Sequence, residues 1–138
     1  MSQSKSQHEA ERWWLTAGED LDAAKILHCA GKFSHTRFLA QQSAEKALKA
    51  LWFSNEHDPW GHSIQKLVLE FPEQSRLQSI SDWVDHAAFL DKFYIPARYP
   101  NGLPDLTPSQ VYISQDAEQA LEKANFFLEH TRKFIEGK

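Results

Sequence analysis

Glycine and proline, the residues that most often interrupt a helix, are scarce and bunched in this sequence. There are 5 Gly and 6 Pro in 138 residues, and none falls within 32–58, 73–95 or 109–136. Within these stretches, and across residues 9–30 where Gly18 is the one interruption, apolar residues recur with the period of a helix. Trp14, Ala17, Leu21, Ala24 and His28 stand at offsets 0, 3, 7, 10 and 14, one face of a helix that starts near Glu9 and stops at Gly31. Residues 1–8, polar after Met1, are expected to form a flexible tail. A second helix is expected from Ser34 to about Asn55, with Ala40, Ala44, Ala47 and Leu51 in one stripe widened by Leu48 and Trp52. Alanines in such a stripe let a neighbouring helix come close.

Asp58-Pro59 and Gly61 break this helix, and Ser63 to Phe71 reads as a short one ended by Pro72. A further helix is predicted from about Ser75 to Phe93, where Ile80, Trp83, Ala87, Leu90 and Tyr94 repeat the same spacing. Residues 95–113 hold four of the six prolines and read as a long irregular connection, of a length that in a compact domain tends to serve function. The last helix is expected from Ser114 to about Glu136, with Ala117, Leu121, Ala124, Leu128 and Ile135 inward. No segment alternates as a strand does. The pattern predicts an all-α chain: an antiparallel up-and-down bundle of four long helices and one short one, a single domain over residues 9–138.

Charge and composition narrow the function. Lys plus Arg is 15 against 19 for Asp plus Glu, a formal charge of −4, which disfavours gripping long nucleic acid by charge alone. No run of 18 apolar residues exists to span a membrane, and the polar start has no apolar core of a secretory signal, so the cytoplasm is the expected location. The single Cys29 excludes an intramolecular disulfide and reads as a small core residue rather than a nucleophile. The seven His form no His-Glu-x-x-His pair and no i, i+4 pair, and Glu-x-x-His does not occur, so neither a metal site nor a cofactor is expected. Glycine-rich phosphate loops and nucleophile elbows are also absent.

Three places carry chemistry. Gln41, Glu45 and Lys49 lie at i, i+4, i+8 on one helix face, with Gln42 and Lys46 beside them. They suit either a solvated face with one weak ion pair or a polar stripe for a ligand or a second subunit. Arg98, with Lys92 upstream, stands between Tyr94 and Tyr99 and between Pro96 and Pro100. The prolines fix the backbone around it. Arg98 can grip a phosphate while a tyrosine stacks on a base, or it can cap helix carbonyls with both tyrosines packed. His62, after Gly61 at a helix start, is either structural or a donor to an anion.

In this order the segments resemble the HEPN domain (higher eukaryotes and prokaryotes nucleotide-binding). The resemblance spans about residues 9–135. It rests on Ala10…Asp20-Leu21…Ala23-Ala24, Gly31-Lys32-Phe33, the run from Gln41 to Ala50, Gly61-His62-Ser63-Ile64, and Leu90 to Pro100. It implies a helical bundle, usually a homodimer. It also implies either the nucleotide-binding, non-catalytic partner of a minimal nucleotidyltransferase, often in a toxin–antitoxin pair, or a metal-independent ribonuclease. The ribonuclease branch uses Arg, four to six residues, then His. No Arg in this chain has a His at that spacing, and the segment after Arg98 resembles the nucleotidyltransferase-associated branch. The resemblance thus implies a binding surface of Arg98, Tyr94 and Tyr99, with Lys46, Lys49 and Lys92 supplying charge. Its ligand would be a nucleotide or RNA, or its partner a nucleotidyltransferase.

Overall fold

The computed structural model describes residues 3–92 and 105–137. Within them all regular secondary structure is helical and there is no strand. The elements are α1 (Gln3–Cys29), α2 (Phe33–Ser54), α3 (Ile64–Leu69), a 3-10 turn (Gln74–Arg76), α4 (Ile80–Asp91), α5 (Pro108–Val111) and α6 (Ser114–Glu136).

α2 is the central helix. It packs on both α1 and α6, and α3, α4 and α5 also touch it. Fifteen of its 22 residues are buried, which only a helix enclosed on most sides can achieve. Ala40, Ala44 and Ala47 are fully buried, as the small-residue stripe implied. The Ser43 hydroxyl reaches across and donates to the Ala17 carbonyl of α1 at 2.7 Å, so the two helices touch backbone to side chain. Leu48 and Leu51 of α2, Ile64 and Leu67 of α3, Trp83 and Leu90 of α4, and Phe127 of α6 complete one core. Trp83 meets Phe127 edge-on at 5.7 Å. The indole nitrogens of Trp52 and Trp83 donate to the carbonyls of Leu67 (3.0 Å) and Gln78 (3.1 Å), so these large buried rings leave no indole N–H unpaired.

The boundaries have local causes. Gly31, at φ 78°, ends α1 in the left-handed conformation; its amide donates to His28, and the Lys32 amide donates to Leu27, closing the last turn. Ser63 caps α3 by accepting from the Lys66 amide. Asp116 accepts from the Ile113 amide at 2.9 Å and fixes the start of α6.

Four expectations are corrected. Helix α1 begins at Gln3, not Glu9. Its first turns lie on the end of α6, with Ser6 and Ala10 buried and the Gln7 amide donating to the Ile135 carbonyl, a tertiary contact that overrides the polar composition. The helix expected from Ser75 is divided: Ser79 takes a left-handed φ of 57°, leaving a 3-10 turn before α4. Part of the expected irregular connection is the short helix α5, started by Pro108 with the Gln110 side chain accepting from the Thr107 amide at 2.8 Å. Cys29 is exposed at the end of α1 rather than in the core.

Leu48 is fully buried on the central helix, whereas Leu15 is 62% exposed on α1. Leu48→Ala should therefore cost about 2–5 kcal/mol in urea unfolding, and Leu15→Ala less than about 0.5 kcal/mol.

Candidate ligand-binding corner

The polar stripe of α2 is neither solvated nor short. It begins one turn earlier than the sequence reading placed it, at Arg37, and continues through Gln41, Glu45 and Lys49. These four residues are 3%, 1%, 4% and 9% exposed. Together they contact α1, α4, α6 and the entry to α3.

Arg37 donates to the Asp116 carbonyl at the start of α6 at 2.9 Å, and its guanidinium lies 4.6 Å over Phe89 and 5.5 Å over Tyr112. Burial lowers the Arg37 pKa, opposed by the charges of Asp116 and Tyr112. Burial likewise raises that of Tyr112, against the pull of Arg37. Sequence reasoning missed Arg37, although its i, i+4 register with Gln41 was visible.

Gln41 donates to the His62 carbonyl (3.5 Å) and to Asp91 Oδ1 (3.4 Å), and accepts from Gln42 at 2.7 Å. Asp91, the last residue of α4, was also missed. Its two oxygens accept from the Ile64 amide (2.9 Å), the Gln65 amide (2.8 Å) and the Ser63 hydroxyl (2.8 Å). One carboxylate thereby fastens the first turn of α3 to the end of α4, and its charge suits free helix-start amides. Its signal was the adjacency of Asp91 to the Tyr-Arg-Tyr segment, which reads as motif context rather than as a cap.

Glu45 Oε2 accepts from Lys49 Nζ at 3.0 Å and from His62 Nδ1 at 3.2 Å, while Oε1 has no hydrogen-bond partner among the described residues. Since a carboxylate only accepts here, His62 carries its proton on Nδ1 and presents Nε2 outward from a side chain that is 77% exposed. Lys49 also lies 5.3 Å over the Trp13 ring of α1. Gln41, His62, Ser63 and Asp91 line a shallow cleft of about 220 Å³.

Of the residues expected to form the binding surface, the structure brings His62 and Lys49 together through Glu45. Lys49 is turned into the bundle, and Lys46 is paired with Asp20 of α1 at 2.6 Å. Lys92 is exposed immediately after α4. Tyr94, Arg98 and Tyr99 lie outside the described residues.

This helical frame matches known proteins. The model of the HEPN domain covers residues 10–134. The chain belongs to the HEPN family. Among solved structures it is similar to TT1696 of Thermus thermophilus, at 35% identity and a TM-score of 0.84, over 91% of this chain and 97% of that one. It is also similar to ST0689, described as an archaeal HEPN homologue, at 32% identity and a TM-score of 0.76, over 91% and 97% of the two chains. A Methanocaldococcus jannaschii protein named as a candidate toxin, MJ1304, is 27% identical over 129 residues, 88% of this HEPN chain and 85% of the relative. No helix among the described residues is long and apolar enough to cross a membrane.

The Glu45–Lys49 pair is enclosed, with side chains 5% and 11% exposed. Removing one partner strands the other charge in the interior. Glu45→Ala should cost about 3–5 kcal/mol in chemical unfolding, and Glu45→Ala combined with Lys49→Met should recover most of the loss.

Proposed function

We propose that this HEPN chain is a non-catalytic binding module that holds a nucleotide-like ligand and serves as the partner of a minimal nucleotidyltransferase in a toxin–antitoxin type pair. The observation that carries this reading is the polar corner. Buried Gln41 and Glu45, with Asp91, fix the entry of α3 and the outward His62 around a cleft. From the end of α4 at that corner the sequence continues into the segment bearing Tyr94, Arg98 and Tyr99. In this reading Arg98 supplies a two-point grip on phosphate and the tyrosines supply stacking faces, while Lys92 adds positive charge. His62 donates to the ligand through Nε2 when doubly protonated and accepts from it when neutral. The corner provides the fixed wall against which such a ligand is held, since its side chains are already committed to one geometry.

The chain also lacks Arg followed after four to six residues by His, the arrangement that resemblance associates with the ribonuclease branch. A relative named as a candidate toxin fits membership of a toxin–antitoxin pair. The homodimer that the resemblance implies belongs to the same proposal; the exposed Ile26 of α1 is apolar surface that pairing would cover.

One observation favours a second reading, a ribonuclease with a non-standard site. A buried carboxylate that orients an exposed imidazole is the arrangement used for general acid–base chemistry, and Glu45–His62 has it. RNA cleavage abolished by His62→Ala would establish that reading.

The test is titration of the purified chain with ATP, GTP, their diphosphates and a short single-stranded RNA, followed by Trp fluorescence. The proposal expects saturable nucleotide binding that Arg98→Ala weakens by at least about tenfold, the loss of one charge-assisted contact. Unchanged affinity for nucleotide and for a nucleotidyltransferase partner in Arg98→Ala would overturn it.

A further inference from the structure

A second cavity lies at the opposite end of α4, between the 3-10 turn, the start of α4 and the end of α6. Trp83 lines it, and Trp83 and Asp91 are eight residues apart, about 12 Å along the helix axis. Its volume is about 340 Å³, within the range of small-molecule sites.

Its lining is chemically one-sided. Arg76, His130 and Lys133 contribute to it, and none of its eight lining residues is acidic, in a chain whose formal charge is −4. Arg76 is held in place: it donates to the Asn55 side-chain oxygen, and its guanidinium lies 5.1 Å over the Phe134 ring. Lys133 has no side-chain partner among the described residues. His130 spends Nδ1–H on the Phe126 carbonyl at 2.8 Å, which leaves Nε2 for other partners. The imidazole is fixed further by Phe126, 3.9 Å away, and by the edge of Trp83 at 5.8 Å. The rest of the wall is apolar: Leu77 and Trp83 are buried, and Phe134 is partly so.

We propose that this cavity binds a small phosphate monoester carrying a flat ring, with Arg76 and Lys133 on the phosphate, a doubly protonated His130 donating from Nε2 to a phosphate or ester oxygen, and the ring against Phe134. Two cations without a carboxylate select an anion. A guanidinium already anchored on one side offers its remaining N–H groups to two oxygens of one phosphate with little further ordering. The apolar wall contributes nothing to a bare oxyanion but is covered by a ring, so the ring-bearing ester is favoured over inorganic phosphate. The site is independent of the corner that holds His62 and Asp91.

The test uses the full chain and phenyl phosphate, with inorganic phosphate and phenol as its two halves, followed by the indole and amide signals of a ¹H–¹⁵N spectrum. Phenyl phosphate should shift the Trp83 indole signal and the Lys133 and Phe134 amides saturably, and bind at least about tenfold more tightly than either half. Lys133→Glu, a change at an exposed side chain, should weaken binding at least about tenfold without altering the melting temperature. Arg76→Gln should do the same where it folds, and Lys133→Glu decides the matter where it does not. Arg98→Ala should leave phenyl phosphate affinity unchanged even as it weakens nucleotide binding at the corner, so the two proposals fail separately. No saturable shift at Trp83, equal affinity for inorganic phosphate, insensitivity to Lys133→Glu, or loss in Arg98→Ala would each overturn the proposal.

Discussion

A buried polar ladder on α2 sets the arrangement of everything around it. Arg37, Gln41, Glu45 and Lys49 follow one another at one-turn intervals, and together they reach the start of α6, the end of α4, the entry to α3 and the face of α1. Apolar packing tolerates sliding and rotation, because many side-chain arrangements fill the same volume. Buried polar groups tolerate far less, since a group moved away from its partner is left desolvated and unpaired. The alanines of α2 bring the neighbouring helices near, and the ladder selects the register at which they stop.

The corner follows from this constraint. α3 has only six residues and could not hold its position by its own helical hydrogen bonds. It is fixed because Asp91 accepts from its first amides and because Ile64, Leu67 and Val68 enter the core. His62 is held in turn by Glu45. One exposed imidazole is therefore presented by a set of buried contacts, a rigid support of the kind a binding surface requires. The far end of α4 is built differently: its cavity joins cationic side chains to an apolar wall, whereas the corner joins carboxylates to helix-start amides.

The fold was largely legible because helical periodicity and helix breakers are local signals. Gly31, Ser63 and the alanine stripe each have the role their residue type implies. What escaped depended on contacts distant in sequence. The first turns of α1 are helical because they meet α6, more than a hundred residues later, and no local pattern records that. The same blindness affected the site. Gln41, Glu45 and Lys49 were visible as a stripe, but spacing cannot tell a solvated face from an enclosed one. Arg37 and Asp91 carried roles that only their partners reveal: Arg37 bonds to a carbonyl 79 residues away, and Asp91 to amides 26 and 27 residues away.

The proposed nucleotide ligand would meet this HEPN chain at the corner held by Asp91 and Glu45. Amide signals of Ile64 and Gln65 test it most directly, because both N–H groups donate to Asp91 and report any change at that carboxylate. Through a titration with ATP in a ¹H–¹⁵N spectrum, these two signals and that of His62 should move saturably with a common midpoint. A titration in which they stay fixed while other signals saturate, or in which nothing moves, would contradict it.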